Sequence, residues 1–144
     1  MPKHTLKNRG TSINPEGRFE TQTREVFYDD WATGADEDPP PTLETTLLIE
    51  RAKSIITTND SPDISFDQSI NPYRGCEHGC IYCYARPSHA YMNLSPGLDF
   101  ETKVFYKENA AALLEKEFNN KSYTCKPIVI GANTDPYQPA ESKF

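Results

Sequence analysis

No apolar run in the sequence approaches the ~18 residues that a membrane-spanning helix needs. The charged start of the chain is not followed by an apolar segment, so we expect no secretory signal peptide either. Both absences predict a cytoplasmic protein with no membrane partner. In that reducing compartment, clustered cysteines more often bind metals or perform redox chemistry than form disulfides.

Basic residues are scarce relative to acidic ones. The chain has 15 Lys and Arg against 21 Asp and Glu, which gives a formal net charge of −6 at pH 7. This balance argues against a surface that binds nucleic acid over most of its extent, although a local basic groove would not show in the total. Only 36% of the residues are hydrophobic, and 12 prolines against 7 glycines indicate much irregular backbone.

Residues 1–41 are expected to form a largely disordered extension. Positions 1–24 carry five basic and two acidic residues, whereas positions 25–38 carry six acidic residues and no basic one. Few apolar side chains are available in this segment to offset the entropy cost of ordering it. Three successive prolines at positions 39–41 then predict a stiff, extended linker.

From residue 42 onward the pattern predicts strands that alternate with helices. Strands are expected at residues 64–70, 103–106 and 127–132, and also within residues 45–57, where a strand pair is favoured over a short helix. Helices are expected at residues 81–93 and 108–119, and the second has Ala110, Leu114 and Phe118 on one face. The run at 127–132 is apolar throughout, which is typical of a parallel strand buried on both faces.

This order of elements predicts an α/β fold with right-handed crossovers. An α/β barrel usually needs ~200 residues or more, and this chain has 144. We therefore expect an N-terminal fragment of a larger protein, with an extension at residues 1–41 and an incomplete core at residues 42–144.

Cysteine is rare but concentrated, because three of the four cysteines, Cys76, Cys80 and Cys83, lie in one short loop. Thiolates are the usual ligands of iron–sulfur clusters. Three thiolates leave one iron of a [4Fe–4S] cubane open to another ligand, as a catalyst needs, whereas an electron carrier normally closes all four corners. Gly75 and Gly79 allow the backbone to turn tightly around such a group. The loop therefore predicts a cluster with one open iron.

Three other arrangements stay open from the residues alone. A structural zinc site would add His78 or His89 to the three thiolates. A closed cluster would take Cys125 as its fourth ligand and would serve structure or electron transfer without catalysis. The cysteines would otherwise be unliganded, and Cys125 in particular fits an incidental thiol that packs like a small hydrophobe.

Three segments carry a family resemblance: SINPYRGCEHGCIYCYARP at residues 69–87, NPEGRFE at residues 14–20 and TDPYQP at residues 134–139. They resemble radical S-adenosylmethionine (SAM) proteins related to spore photoproduct lyase, in particular the bacterial branch of that group. The resemblance spans roughly residues 9–141. Proteins of this group run well beyond this length, so the resemblance implies that the rest of the barrel would lie outside these 144 residues.

The resemblance implies a partial (β/α)6 barrel in which the cluster loop, residues 71–86, follows the first barrel strand. It implies that Cys76, Cys80 and Cys83 hold a [4Fe–4S] cluster whose open iron binds SAM. One electron from the reduced cluster would cleave SAM to methionine and a 5′-deoxyadenosyl radical, which abstracts hydrogen from the substrate. Tyr82 matches the aromatic position that commonly lies against the adenine.

The same resemblance implies partners and a level of activity. A one-electron reductant of the flavodoxin or ferredoxin kind would supply the electron. The substrate is unknown, and kinship with photoproduct lyase makes a nucleic acid one candidate, although fold-level kinship does not fix a substrate. We expect this chain by itself to bind the cluster with weak or no activity.

Polar residues follow the last predicted strand, at Asn133, Thr134 and Asp135. In α/β barrels the functional groups collect on one rim, at the carboxyl ends of the strands. The cysteine loop follows a predicted strand in the same way, so these three residues are expected to share its rim and to bind the amino or carboxylate group of SAM. The competing interpretation is a helix N-cap. Arg74 and Arg86 flank the loop and would either neutralise negative charge at the site or form structural salt bridges.

Overall fold

The computed structural model describes residues 9–11, 13–15 and 43–143. Within these residues the strands, in chain order, are β1 (Thr46–Ile49), β2 (Ile56–Thr58), β3 (Gln68–Ile70), β4 (Tyr73–Arg74), β5 (Lys103–Tyr106) and β6 (Ile128–Ile130). The α-helices are α1 (Leu98–Thr102) and α2 (Ala110–Phe118). Two 3-10 helices, Arg86–Met92 and Pro139–Lys143, complete the described secondary structure.

The strands form two three-stranded sheets. In the first sheet β5 is central: it pairs in parallel with β1 and antiparallel with β4. In the second sheet β3 is central: it pairs antiparallel with β2 and in parallel with β6. Because β3 and β4 are separated only by Asn71 and Pro72, the chain steps from one sheet to the other immediately before the cysteine loop.

The core contains polar as well as apolar side chains. The largest fully buried side chains are those of Ile55, His89, Phe100, Glu101 and Val104. Val104 lies on β5, whose β-branched and aromatic residues favour a strand. Phe100 and Glu101 lie on α1, which packs against β5 and against the first 3-10 helix. The same short helix thus supplies both an apolar anchor and a buried carboxylate to the region beneath the cysteine loop.

The described elements agree with part of the predicted pattern. The strand at 103–106 is confirmed, the helix predicted at 108–119 is present as α2, and the segment 45–57 contains parts of two strands rather than a helix. The strand predicted at 64–70 is reduced to β3, and the helix predicted at 81–93 is the 3-10 helix Arg86–Met92, with a proline in its first turn. The prediction that the last strand is buried on both faces is wrong, because the Ile130 side chain on β6 is 62% exposed.

The described residues form a smaller architecture than the predicted partial barrel. The described residues mix α and β elements and form two small sheets rather than a closed barrel, so the partial barrel stays a prediction. None of the helices formed by residues 9–11, 13–15 and 43–143 is long and apolar enough to cross a membrane.

Six residues of the predicted extension are described, and they lie against the body of the protein. The Arg9 guanidinium donates to the Glu101 carbonyl and to the Thr45 hydroxyl. Leu98 N donates to the Ile13 carbonyl at 3.2 Å, and the Ser95 hydroxyl donates to the Pro15 carbonyl. The rest of the extension for which disorder is predicted lies outside the described residues.

Candidate metal centre

The cysteine loop is built from successive tight turns. Gly79 N donates to the Cys76 carbonyl, and Cys83 N donates to the Cys80 carbonyl, each at 3.2 Å. Gly75 and Gly79 have φ values of +87° and +65°, in the region that residues with a Cβ adopt only at a cost. The two glycines therefore let three thiols fit on one compact loop.

Cys76 is the most buried of the three thiols. Its backbone N–H donates to the Phe100 carbonyl at 3.0 Å, and its side chain packs in a small apolar cluster with Ala85, Phe100 and the half-buried Cys83. Burial raises the pKa of the Cys76 thiol, although the backbone N–H groups of His78 and Asp135 act on that pKa in the opposite direction. Such N–H donors stabilise a thiolate and are one of the ways in which proteins tune iron–sulfur sites.

The other two thiols of the loop are more accessible. Cys83 is half-buried, Cys80 is exposed, and neither is in a disulfide. Cys125, which precedes β6, is also an exposed free thiol. The loop therefore presents three reduced sulfurs, one at its base and two towards its surface.

The described residues contain no group of three or more Cys, His, Asp or Glu side chains gathered tightly enough to hold a single metal ion. His89, a candidate fourth zinc ligand, is fully buried and bonds through Nε2 to the Lys103 carbonyl at 3.0 Å. His78 bonds through Nε2 to the Tyr137 carbonyl at 3.1 Å. In this structure both histidines thus bond to backbone carbonyls rather than to the thiols. A single zinc ion would need four donors at one point, whereas a cubane binds three thiolates at three separate irons.

The loop after β6 lies directly beside the cysteine loop. Thr134 is buried and its hydroxyl donates to the Tyr73 carbonyl at 2.6 Å, while Asn133 N donates to Asn71 Oδ1 at 2.7 Å. Asp135 Oδ2 lies 3.5 Å from His78 Nε2. The structure therefore places Asn133, Thr134 and Asp135 against residues of the cysteine loop. That they bind SAM stays a prediction.

These contacts also limit what the three residues offer to a ligand. The Thr134 hydroxyl donates to backbone, and Asp135 Oδ1 accepts the Tyr137 N–H in a local turn at 2.9 Å. One carboxylate oxygen of Asp135 faces His78, and that carboxylate is about half exposed. Of the set, Asp135 is the side chain most open to an incoming group.

Gln138 joins the two loops, and sequence reasoning gave it no role. It is 3% exposed. Its amide group donates to the Gly75 carbonyl at 3.0 Å and to the Asp135 carbonyl at 3.1 Å, while its Oε1 accepts the Glu77 N–H at 3.1 Å. Gln138 is thus a cross-brace, and two of its three partners, Gly75 and Glu77, are more than sixty positions away in the chain. No local pattern marks it, although its position within the TDPYQP segment does.

Tyr82 is the most exposed of the predicted site residues, with 86% of its surface accessible. Neighbouring Tyr84 is also exposed, and its hydroxyl donates to the Ala132 carbonyl of the loop after β6. The Tyr82 ring thus lies at the protein surface, two positions after the exposed Cys80. The predicted contact with adenine stays a prediction.

A cavity of about 520 Å³ opens beside the start of the cysteine loop. That volume is within the range of small-molecule sites. Its walls include Pro72, Tyr73, Lys107 and Glu141. The Lys107 ammonium donates to the Asn71 carbonyl at 2.8 Å, and burial lowers its pKa.

Two mycobacterial proteins are similar to this chain. The uncharacterized protein Rv2578c of Mycobacterium tuberculosis and the uncharacterized protein Mb2609c of Mycobacterium bovis are each 46% identical to it over 81 residues. The aligned part is 56% of this chain and 24% of each relative, so the chain spans about a quarter of the length of these curated relatives. No protein-family model matches the sequence, and no solved structure matches it. The function is therefore argued from the site.

Proposed function

We propose that the protein is a radical SAM enzyme whose [4Fe–4S] cluster is held by Cys76, Cys80 and Cys83. The observation that carries the proposal is the convergence of two elements: a loop with three free thiols, and a second polar loop that Gln138 joins to it through the Gly75 carbonyl and the Glu77 N–H. The second loop adds polar side chains and a half-exposed carboxylate next to the thiols.

The chain's own residues have separable tasks in this proposal. The three thiolates bind three irons, and the N–H groups of His78 and Asp135 stabilise the Cys76 thiolate. When bound, the reduced cluster supplies one electron that cleaves SAM to methionine and a 5′-deoxyadenosyl radical. Asp135 is the candidate for the SAM amino group and Tyr82 for the adenine.

Anaerobic reconstitution of the purified chain tests the cluster. We expect about four irons and four acid-labile sulfides per chain, as one cubane requires. Cys80→Ala should abolish this uptake, whereas the matched change Cys125→Ala, at an exposed cysteine outside the loop, should leave it intact. Uptake of one zinc and no sulfide would replace the proposal with a structural metal module. Loss of the cluster in Cys125→Ala would instead indicate a closed, four-cysteine cluster.

Catalysis is tested separately from cluster binding. After reduction with dithionite and addition of SAM, release of 5′-deoxyadenosine would demonstrate catalysis, and from this chain by itself we expect weak release or none. The reductant in the cell would be a flavodoxin- or ferredoxin-like protein, and a cytoplasmic location would keep the loop thiols reduced. A nucleic acid is the first substrate class to examine, and the substrate itself is open.

A further inference from the structure

Arg86, three positions after the last loop cysteine, is buried and has every donor in use. Its side chain is only 10% exposed, and its charged group lies over the Phe100 ring at 5.2 Å. An arginine has five N–H groups, and the Arg86 guanidinium makes five hydrogen bonds at 2.6–3.1 Å. Its acceptors are the carbonyls of Gly79, Cys80, Pro96 and Gly97 and the carboxylate of Glu101.

Two of these acceptors belong to the cysteine loop itself. Arg86 Nη2 donates to the Gly79 carbonyl at 2.8 Å, and Nε donates to the Cys80 carbonyl at 2.9 Å. The Cys80 carbonyl also accepts the Cys83 N–H. The guanidinium therefore fixes the backbone on which the most exposed thiol is carried. No N–H donor of Arg86 is left over for a bound cofactor, and its ion pair with Glu101 is the structural salt bridge that was one of the two interpretations of this residue.

Glu101 connects this clamp to the N-terminal residues. Its carboxylate is completely buried and accepts three hydrogen bonds: from Arg86 at 2.6 Å, from Gly10 N at 2.9 Å and from Thr11 N at 3.1 Å. The chain packs so tightly there that a Cβ on Gly10 would lie 1.7 Å from the Gly79 carbonyl oxygen. The N-terminal residues thus lie directly on the outer side of the cysteine loop.

We propose that Arg86 is a positioning residue for the cluster: it holds the Cys80 side of the loop in the binding conformation, and the Glu101 carboxylate couples that conformation to residues 9–11. The inference rests on the proposed cluster, but the clamp can be measured without any metal. Lysine at position 86 keeps the charge and has only three donors on a single nitrogen, so it cannot reach acceptors arranged around a planar fork.

The test compares Arg86→Lys with Arg51→Lys, the same change at an exposed arginine. Amide hydrogen exchange is measured in the metal-free chain at two positions. The Cys83 N–H bonds to the Cys80 carbonyl in the cysteine loop, and the Gly131 N–H bonds to the Ile70 carbonyl on β3 of the second sheet. We expect exchange at Cys83 to be about tenfold faster in Arg86→Lys, because hydrogen bonds to a charged group are lost there, and unchanged at Gly131. Arg51→Lys should match the parent chain at both amides.

The reconstituted protein gives a second readout. The electron paramagnetic resonance spectrum of the reduced cluster should change in Arg86→Lys and not in Arg51→Lys, because one thiolate is held less firmly.

Two results would overturn the proposal. One is an unchanged exchange rate at Cys83 in Arg86→Lys. The other is an equal acceleration of exchange at Cys83 and Gly131, which would mean a general loss of stability. If Arg86→Lys does not fold, Thr11→Pro removes a single N–H from Glu101 and should also accelerate Cys83 selectively. A parent chain that binds no sulfide would defeat the proposed function, whereas the metal-free exchange result would still decide the role of Arg86.

Discussion

His89 is fully buried, and only one of its two ring nitrogens has a hydrogen-bond partner in the structure. The ring packs edge-on against Phe100 and Phe105, with centroids 5.1 and 6.1 Å away. Nε2 donates to the Lys103 carbonyl, so the neutral ring carries its proton on that nitrogen. Burial lowers the pKa of His89, and this outweighs the opposing effects of the Lys103 carbonyl and the Asp99 carboxylate. The imidazole is therefore held neutral in the folded chain.

This burial predicts acid sensitivity of the metal-free protein. Because the folded-state pKa lies below the ordinary value of about 6.5, the unfolded chain binds more protons in the window below that value. The stability that depends on a neutral His89 is therefore fully present above pH ~6.5. Below that pH the unfolding free energy falls, by at most ~1.4 kcal/mol per pH unit from this one group. When unfolding free energies are measured with urea between pH 7.5 and 5, the free energy of His89→Gln should fall less per pH unit than that of the parent chain. The matched change His78→Gln leaves His89 in place, so the pH dependence contributed by His89 should remain in that variant; a pH dependence in His89→Gln equal to that of the parent chain would contradict this account.

Gly79 is the residue where the loop approaches the buried carboxylate most closely. Its φ is +65°, and a Cβ there would lie 2.7 Å from Glu101 Oε2. Gly79→Ala should therefore cost about 2 kcal/mol in unfolding free energy, from the left-handed backbone and the crowding together. It should also reduce sulfide uptake. The control Ala111→Gly, at an exposed position of α2, should cost about 1 kcal/mol and leave the cluster content unchanged. A Gly79→Ala chain with parental stability would show that the loop relaxes freely.

At the scale of elements, α2 is attached to the protein by a carboxylate as well as by apolar contacts. None of its residues is buried. Glu117 near its end accepts the N–H groups of Ile55 and Ile56 at 2.7 and 3.2 Å. Ile55 is 2% exposed. Without the Glu117 carboxylate, its N–H would therefore have no hydrogen-bond partner in a place that water reaches poorly. The helix thus supplies the hydrogen-bond acceptor for two backbone N–H groups at the start of β2.

Removal of this carboxylate should therefore cost more than an ordinary surface change. Glu117→Ala is expected to lower the unfolding free energy by about 2 kcal/mol, because hydrogen bonds to a charged acceptor are lost and a buried donor is left unpaired. Glu115→Ala, an exposed glutamate two residues earlier on the same helix, should change it by less than about 0.5 kcal/mol. Chemical denaturation monitored by circular dichroism measures both. Equal effects would mean that the Glu117 contacts contribute nothing net.

The elements that the sequence predicts well are those specified by local pattern. β5 has β-branched and aromatic residues and is found where expected, and α2 follows its helix-favouring composition. By contrast, β4 has only two residues and exists because Tyr73 pairs with Tyr106 across the sheet. Helix α1 contains Asp99 and Glu101, which look like solvated positions and are both buried. Pairing and burial of this kind depend on distant parts of the chain, so a local pattern does not reveal them.

At the scale of the whole molecule, polar contacts between distant segments organise the candidate site. Cysteine spacing identifies Cys76, Cys80 and Cys83, and strand order places Asn133, Thr134 and Asp135 nearby. The sequence left a structural salt bridge of Arg86 open but did not identify Glu101 as its partner, and it did not predict the contacts of Glu101 with Gly10 or of Gln138 with Gly75, which span 91 and 63 residues. Chemistry-bearing residue types are thus visible in the sequence, whereas the residues that hold them in position become visible only in three dimensions.

Gln138 gives the sharpest test of that distinction, because the chain offers a matched control. Gln138→Met keeps the side-chain volume but leaves the Glu77 N–H and the Gly75 and Asp135 carbonyls without their partner, and should cost about 2–3 kcal/mol in unfolding free energy. Gln68→Met removes the buried amide on β3 that bonds to Tyr123 and Thr124, and should cost a comparable amount. If Gln138 positions the two loops, sulfide uptake on reconstitution should fall by more than half in Gln138→Met and stay parental in Gln68→Met. Equal losses of sulfide in the two variants would mean that cluster uptake follows overall stability, and that the brace between the loops has no specific part in building the site.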